Sequence, residues 1–203
     1  MPRFFVTVAR FFIDWREKFK GVPMPEHTHE IVPLLPRETI ALRIANLARE
    51  IDADFAGTER LVVIALLRGA FIFAADLARA ITLDQEIDFM EVSSYGNATT
   101  SSGKIDILKQ IRTDISGRDV LVVDDILDTG HTLAHVLDLL QAQRPAKLRS
   151  IVLLDKPSRR EVDIAADWTG FEIPDAFVIG YGIDYAQHGR NLPFVGMVQF
   201  KDT

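Results

Sequence analysis

Three short, almost uninterrupted apolar runs constrain this chain most: LVVIALL (61–67), DVLVVDD (119–125) and LRSIVLLDK (148–156). A strand with one wet face alternates apolar and polar residues, whereas a continuous run belongs to a strand covered on both faces. Helical patterns lie between the runs. ETIALRIANLAREIDADF (38–55) spaces Ile40, Ile44, Leu47 and Ile51 on one helical face. AFIFAADLARAI (70–81) and GHTLAHVLDLLQAQ (130–143) follow suit, the latter ending near Pro145. Alternation of this kind predicts right-handed βαβ units, and so an α/β fold with a parallel sheet flanked by helices. EIDFMEVSSY (86–95) and FVIGYGIDY (177–185) are further strand candidates, and residues 93–104, rich in Ser, Thr, Gly and Asn, read as a mobile loop.

A length of 203 residues suits one domain with at most a small appendage. The 48% apolar content is too high for a disordered chain. With no cysteine, disulfide scaffolds, thiol nucleophiles and cysteine-ligated metals are excluded, and a cytoplasmic setting is expected. Charge is unevenly spread. Residues 1–23 hold five basic and two acidic groups, a net of +3, while the other 180 residues carry −9. An acidic body without a Lys/Arg stripe predicts no nucleic-acid partner. No apolar run approaches the roughly 18 residues of a membrane helix, so no membrane partner is expected either. The basic leader has three readings: an amphipathic helix that packs on the body or a partner, a membrane-surface or targeting helix, or a segment outside the working chain, with Met24 as the start. The expected division is therefore an extension, 1–23, and one domain, 24–203.

The chemistry concentrates in VLVVDDILDTGHTL (120–133). Here an apolar strand ends in Asp124 and Asp125, a turn carries Asp128, Thr129 and Gly130, and a helix begins at His131 and Thr132. Ligands of open parallel sheets bind beyond the carboxyl ends of the strands. Amides at a helix start, with the Thr129 and Thr132 hydroxyls, suit a phosphate. Carboxylates beside a phosphate repel it unless they bind sugar hydroxyls or a divalent metal, so the set points to a phosphorylated sugar with magnesium. The plainer reading is that these acids are solvated turn residues and helix caps. Asp-Thr-Gly also marks aspartic proteases, but a helix follows it here, and those enzymes are all-β.

VLVVDDILDTGHTL resembles the phosphoribosyl-pyrophosphate motif of type I phosphoribosyltransferases, and the segments from about Ile40 to Val198 look like the 6-oxopurine (hypoxanthine) branch. The resemblance implies a sheet flanked by helices, with a small hood built from the C-terminal segment. It implies transfer of a phosphoribosyl group to hypoxanthine and guanine, with Mg2+ and a homodimeric or homotetrameric assembly. Carried over by position, Asp124 and Asp125 would bind ribose hydroxyls and metal, and Asp128 would be the general base. Ile126 and Leu127 lie within the same binding run. Thr129, Gly130, His131 and Thr132 would cradle the 5-phosphate. Leu67, Arg68 and Gly69 match the pyrophosphate loop, where the family often has a non-proline cis peptide. Lys156, in LLDKPSRR, would read the 6-oxo group, Phe177 would stack on the base, and Val178 would bond it through its backbone. Asp184 would help hold a second magnesium, Arg190 would contact pyrophosphate, and Ser94 and Tyr95 would open the closing loop. Many relatives have Glu at Asp124 and Lys at Arg68; both changes keep the charge. Two other outcomes of the same resemblance are a regulatory relative that binds nucleic acid and a xanthine/guanine- or pyrimidine-directed enzyme. All these motifs lie beyond residue 23, so removing residues 1–23 should leave activity intact.

Overall fold

The computed structural model describes residues 29–94 and 105–200. The basic leader, His27, Tyr95 and most of the polar loop lie outside the described residues. In chain order the elements are β1 (His29–Leu35), α1 (Arg37–Asp54), β2 (Leu61–Leu67), α2 (Phe71–Ala80), β3 (Gln85–Ser94) and β4 (Ile105–Lys109). After them come β5 (Asp119–Leu127), α3 (His131–Gln141), β6 (Lys147–Asp155), β7 (Trp168–Glu172), β8 (Val178–Ile179) and β9 (Val195–Phe200).

The three apolar runs become the centre of a six-stranded sheet of order β4-β3-β2-β5-β6-β7. Their continuity has the expected cause. Val63, Ala65, Leu121 and Val123 pack on Ile40, Ile44, Leu47 and Ile51 of α1 and on Phe73 and Leu77 of α2. The intervening Val62, Ile64, Val120 and Val122 pack on Leu133, Val136 and Leu140 of α3. Alternate side chains thus enter two cores, and each strand is dry on both faces.

The sheet is mostly rather than wholly parallel. β4 pairs antiparallel with β3 at one edge, shifting register between Glu91 and Val92. An antiparallel neighbour does not require the crossover helix that a parallel one does, so β4 can follow β3 directly in the sheet order. At the other edge the parallel partner of β6 is β7, which pairs Ile151 with Trp168 and Leu154 with Phe171.

The 177–185 segment departs from expectation. Only Val178–Ile179 is extended, and it joins a separate small sheet of order β1-β9-β8. The chain then turns sharply through Gly180 (φ 102°), Tyr181 (φ 51°) and Gly182 (φ 101°). Amide-to-carbonyl bonds between Gly180 and Ile183, 2.9 and 3.0 Å, close that turn. Two glycines permit left-handed backbone that a strand would not need. Ile179, Leu192, Phe194 and Val198 form the core of the small sheet, with Ile31 against them. Tyr181, almost wholly buried, ties this sheet to the body by donating its hydroxyl to Asp76 on α2.

Candidate active site

The carboxyl ends of β2, β5 and β6 open on the same edge of the sheet, since all run parallel. Each delivers a segment singled out above. β2 leads into Leu67–Gly69, β5 into Asp124–Thr132 and β6 into Lys156.

After β2, the Leu67–Arg68 peptide is cis. Gly69 then presses on the β5 loop so closely that a Cβ there would lie 1.7 Å from Asp125 Oδ2. From the other side, a Cβ on Gly182 would meet the Gly69 carbonyl at 2.2 Å. Gly69 is therefore sandwiched between Asp125 and the 180–183 turn. Arg190 extends the stack: its Nη1 donates to the Gly182 carbonyl at 3.0 Å and its Nη2 pairs with Asp184 Oδ1 at 2.6 Å. The other Asp184 oxygen accepts the Gln187 amide at 2.7 Å. The Arg68 side chain points elsewhere, to Glu91 Oε1 at 3.3 Å.

Asp124 is buried at the end of β5. Burial, followed by the charge and hydrogen bond of Asp125, pushes its carboxyl well above the ordinary carboxylate range. Burial also raises Asp125, against the hydrogen bonds it receives and the charge of Arg190. Main-chain amides already orient the pair: Asp125 donates to Asp124 Oδ1 and Ile126 to Asp125 Oδ1, each at 2.9 Å. Two adjacent, desolvated carboxylates are a donor set that suits a hard divalent cation. Among the described residues no three His, Cys, Asp or Glu side chains form a ready-made cage. Asp184 is instead engaged by Arg190, so an ion at this edge would complete its shell with water and ligand oxygens.

The loop then turns at Gly130 (φ 95°), where a Cβ would strike Ile164 Cγ2 at 2.8 Å. α3 starts directly afterwards with no side-chain cap, leaving its first amides open to an anion. Thr129 and Thr132 stand half-buried beside that start. The His131 side chain turns to Glu161, with Nε2 3.0 Å from Oε2.

Beyond β6, Lys156 is only 7% exposed, and its amide donates to the carbonyl of buried Leu127 at 2.9 Å. Ile126, half-buried, packs into the α1–α2 core. Phe177 is 64% exposed and meets Tyr185 edge-on, with ring centroids 6.4 Å apart. Val178 is buried and pairs with Met197 of β9. The backbone of Ser94 closes β3, but its side chain lies outside the described residues.

Four residues at this edge escaped the sequence reading. Gly182 is one. Arg159 is another: its Nε donates to Asp128 Oδ1 at 3.2 Å. Arg160 donates to the Asp128 carbonyl and pairs with Asp155. Glu161 donates its amide to the Thr129 carbonyl at 2.9 Å. A tandem arginine placed just after a strand-end lysine, in an acidic body, was the available signal.

Residues 34–186 match the phosphoribosyl transferase domain family. The hypoxanthine-guanine phosphoribosyltransferase of Aquifex aeolicus is 50% identical over 166 residues, covering 82% of this chain and 93% of that one. Among solved structures, a hypoxanthine-guanine phosphoribosyltransferase from Bacillus anthracis superposes with a TM-score of 0.80 at 48% identity, covering 84% of this chain and all of that one. The hypoxanthine phosphoribosyltransferase of Trypanosoma cruzi, solved with its product IMP, gives a TM-score of 0.78 at 38% identity, over 87% of this chain and 98% of that one.

Proposed function

This chain belongs to the phosphoribosyltransferase family, among the hypoxanthine and hypoxanthine-guanine enzymes, and from that premise we propose the reaction it carries out. It transfers the 5-phosphoribosyl group of phosphoribosyl pyrophosphate to hypoxanthine, and to guanine, releasing pyrophosphate and giving IMP or GMP, a step of purine salvage. The observation that carries the reading is the position of the Asp124–Asp125 pair. It stands between the Gly69 loop and an uncapped helix start, a carboxylate patch for sugar hydroxyls flanked by two main-chain sites for phosphate.

In this reading Asp124 and Asp125 bind the ribose hydroxyls, and the amides and hydroxyls of Thr129–Thr132 hold the 5-phosphate. Leu67–Gly69 and Arg190 face the pyrophosphate. Lys156 donates to the 6-oxo group, the Phe177 ring covers the base, and the Val178 main chain bonds its edge. During the reaction a purine ring nitrogen forms a bond to the anomeric carbon while the bond from that carbon to pyrophosphate oxygen breaks. Asp128 accepts the proton that the nitrogen loses. The cation of Arg190 offsets charge growing on the leaving group. Asp124 and Asp125 would hold one Mg2+ and Asp184 would help hold a second, and the ions would supply further positive charge against pyrophosphate. The segment that begins at Ser94 and Tyr95 shuts water, the competing nucleophile, out of the site. Departure of Asp124 from the more usual Glu leaves the carboxylate in place.

The cysteine-free composition supports a cytoplasmic setting. No described helix is long and apolar enough to cross a membrane. Exposed Ile87 and Phe89 on β3 and Leu108 on β4 support assembly into a homodimer or homotetramer. One assay tests the function. The protein is incubated with phosphoribosyl pyrophosphate and Mg2+ and each of hypoxanthine, guanine, xanthine, adenine and uracil, and nucleotide and pyrophosphate are measured. IMP and GMP in step with pyrophosphate are expected. Product from xanthine or uracil alone would overturn the base assignment.

A further inference from the structure

Asp128 is gripped by two consecutive arginines, and they do different things. Arg160, 16% exposed on its side chain, bonds the Asp128 main-chain carbonyl and Asp155, pinning the loop to the end of β6. Arg159, 48% exposed, bonds the side chain instead, with Nε 3.2 Å from Asp128 Oδ1. A second anion, Asp175, lies 3.8 Å from the same nitrogen. Exposed ion pairs of this kind add little to stability, so the fold alone does not account for the arrangement. It occupies one oxygen of the carboxylate, and no described group bonds Oδ2. Both arginines follow Lys156 within one short turn, Pro157–Arg159 and the residue after it, and the Lys156 amide is bonded to Leu127, the neighbour of Asp128.

We propose that Arg159 is a positioning residue for the transfer: by holding Oδ1 it fixes the rotation of the Asp128 carboxylate, so that Oδ2 faces the purine nitrogen that loses its proton. The inference rests on the reading of Asp128 as proton acceptor. Because the turn that carries Arg159 also carries Lys156, the residue that recognises the base and the residue that takes its proton share one mount. Arg159 touches neither substrate nor leaving group in this scheme.

The test is steady-state kinetics of IMP formation by the full chain, comparing Arg159→Gln, Arg159→Lys, Asp128→Asn and the double variant Arg159→Gln/Asp128→Asn. Losing alignment of a reacting group by about an ångström costs on the order of 10- to 100-fold. The expected result is a kcat lower by that factor for Arg159→Gln, with both KM values within about two-fold of wild type, and partial recovery in Arg159→Lys. In the Asp128→Asn background the Arg159→Gln change should have no further effect, because the two act as a unit. A raised KM for phosphoribosyl pyrophosphate with kcat intact would overturn the proposal and make Arg159 a phosphate contact. An equal loss in the presence and absence of the Asp128 carboxylate would overturn it too. Full turnover by Asp128→Asn would instead remove the base assignment, whereas a slow Asp128→Asn beside an unimpaired Arg159→Gln would sink this inference alone.

Discussion

The β5–α3 loop and the 180–192 turn both reach the candidate site, but they are built in opposite ways. The loop is tied down by a segment remote in sequence: the Lys156 amide donates to the Leu127 carbonyl at 2.9 Å, the Glu161 and Val162 amides donate to the Thr129 carbonyl at 2.9 and 3.1 Å, and Arg159 and Arg160 bond Asp128. The turn is closed mainly by bonds within itself and docks on the body at few points. The Tyr181 and Gly182 amides donate to the Leu192 and Arg190 carbonyls, each at 2.9 Å, while Gly182 rests on Gly69 and Tyr181 bonds Asp76 of the body. The loop is thus fixed between the ends of β5 and β6, whereas the turn closes on itself and takes its place through its contacts with Gly69 and Asp76. A site divided this way separates the reacting groups from the parts that enclose them.

Substitutions can break that contrast or sharpen it. The largest effect is expected inside the loop. Asp128→Asn should lower turnover about 10²- to 10⁴-fold, the usual worth of a positioned general base. Its KM for phosphoribosyl pyrophosphate and its melting temperature should hardly move. Unimpaired turnover would show that the loop does not hold the chemistry.

Next comes the junction. Gly182→Ala would set a Cβ 2.2 Å from the Gly69 carbonyl at a φ of +101°. Left-handed backbone costs about 1–2 kcal/mol and overpacking about 1–3 kcal/mol. Thermal melting should record the loss, and kinetics a higher KM for phosphoribosyl pyrophosphate. A variant that melts and binds like wild type would mean that the turn and the Gly69 loop are independent.

Lys156→Ala probes the shared mount. A hydrogen bond from a charged group is worth about 1.5–3 kcal/mol, so the KM for hypoxanthine should rise about 10- to 100-fold while that for phosphoribosyl pyrophosphate stays close to wild type. Equal increases in both would deny Lys156 its role in reading the base.

The smallest effect on catalysis is expected remote from both regions, at Asp88. Burial opposes ionisation of this β3 carboxylate, but the amides of Thr113, Arg112 and Phe89 together with Lys109 hold it down at about 2. Its folded-state pKa lies below the unfolded one, so its contribution is present above about pH 4 and is lost as pH falls from there toward 2. Asp88→Asn should therefore cost about 2 kcal/mol in denaturant unfolding at pH 7. The gap to wild type should close near pH 2, and kcat should not change. A kinetic defect would show that stability and catalysis are coupled here.

Much of the fold was legible because its strongest signals are local. A continuous run such as LVVIALL can be dry only between two layers, and the Ile40–Ile51 spacing can be satisfied only by a helix with one buried face. The sequence alone was therefore enough to determine the central parallel strands, their flanking helices and the position of the Asp124–Thr132 segment between strand and helix, because its residues are neighbours in the chain. Only the tertiary structure decided the rest. β4 and β7 are short and weakly patterned, and their edge positions follow from which strand is left unpaired. The FVIGYGIDY segment looked like one strand, but two glycines turn it after a two-residue strand that pairs with β9. The partners of Asp128 and Asp184, Arg159 and Arg190, are equally a matter of packing: charge complementarity allows many pairings, and the folded chain brings only some of them within bonding distance.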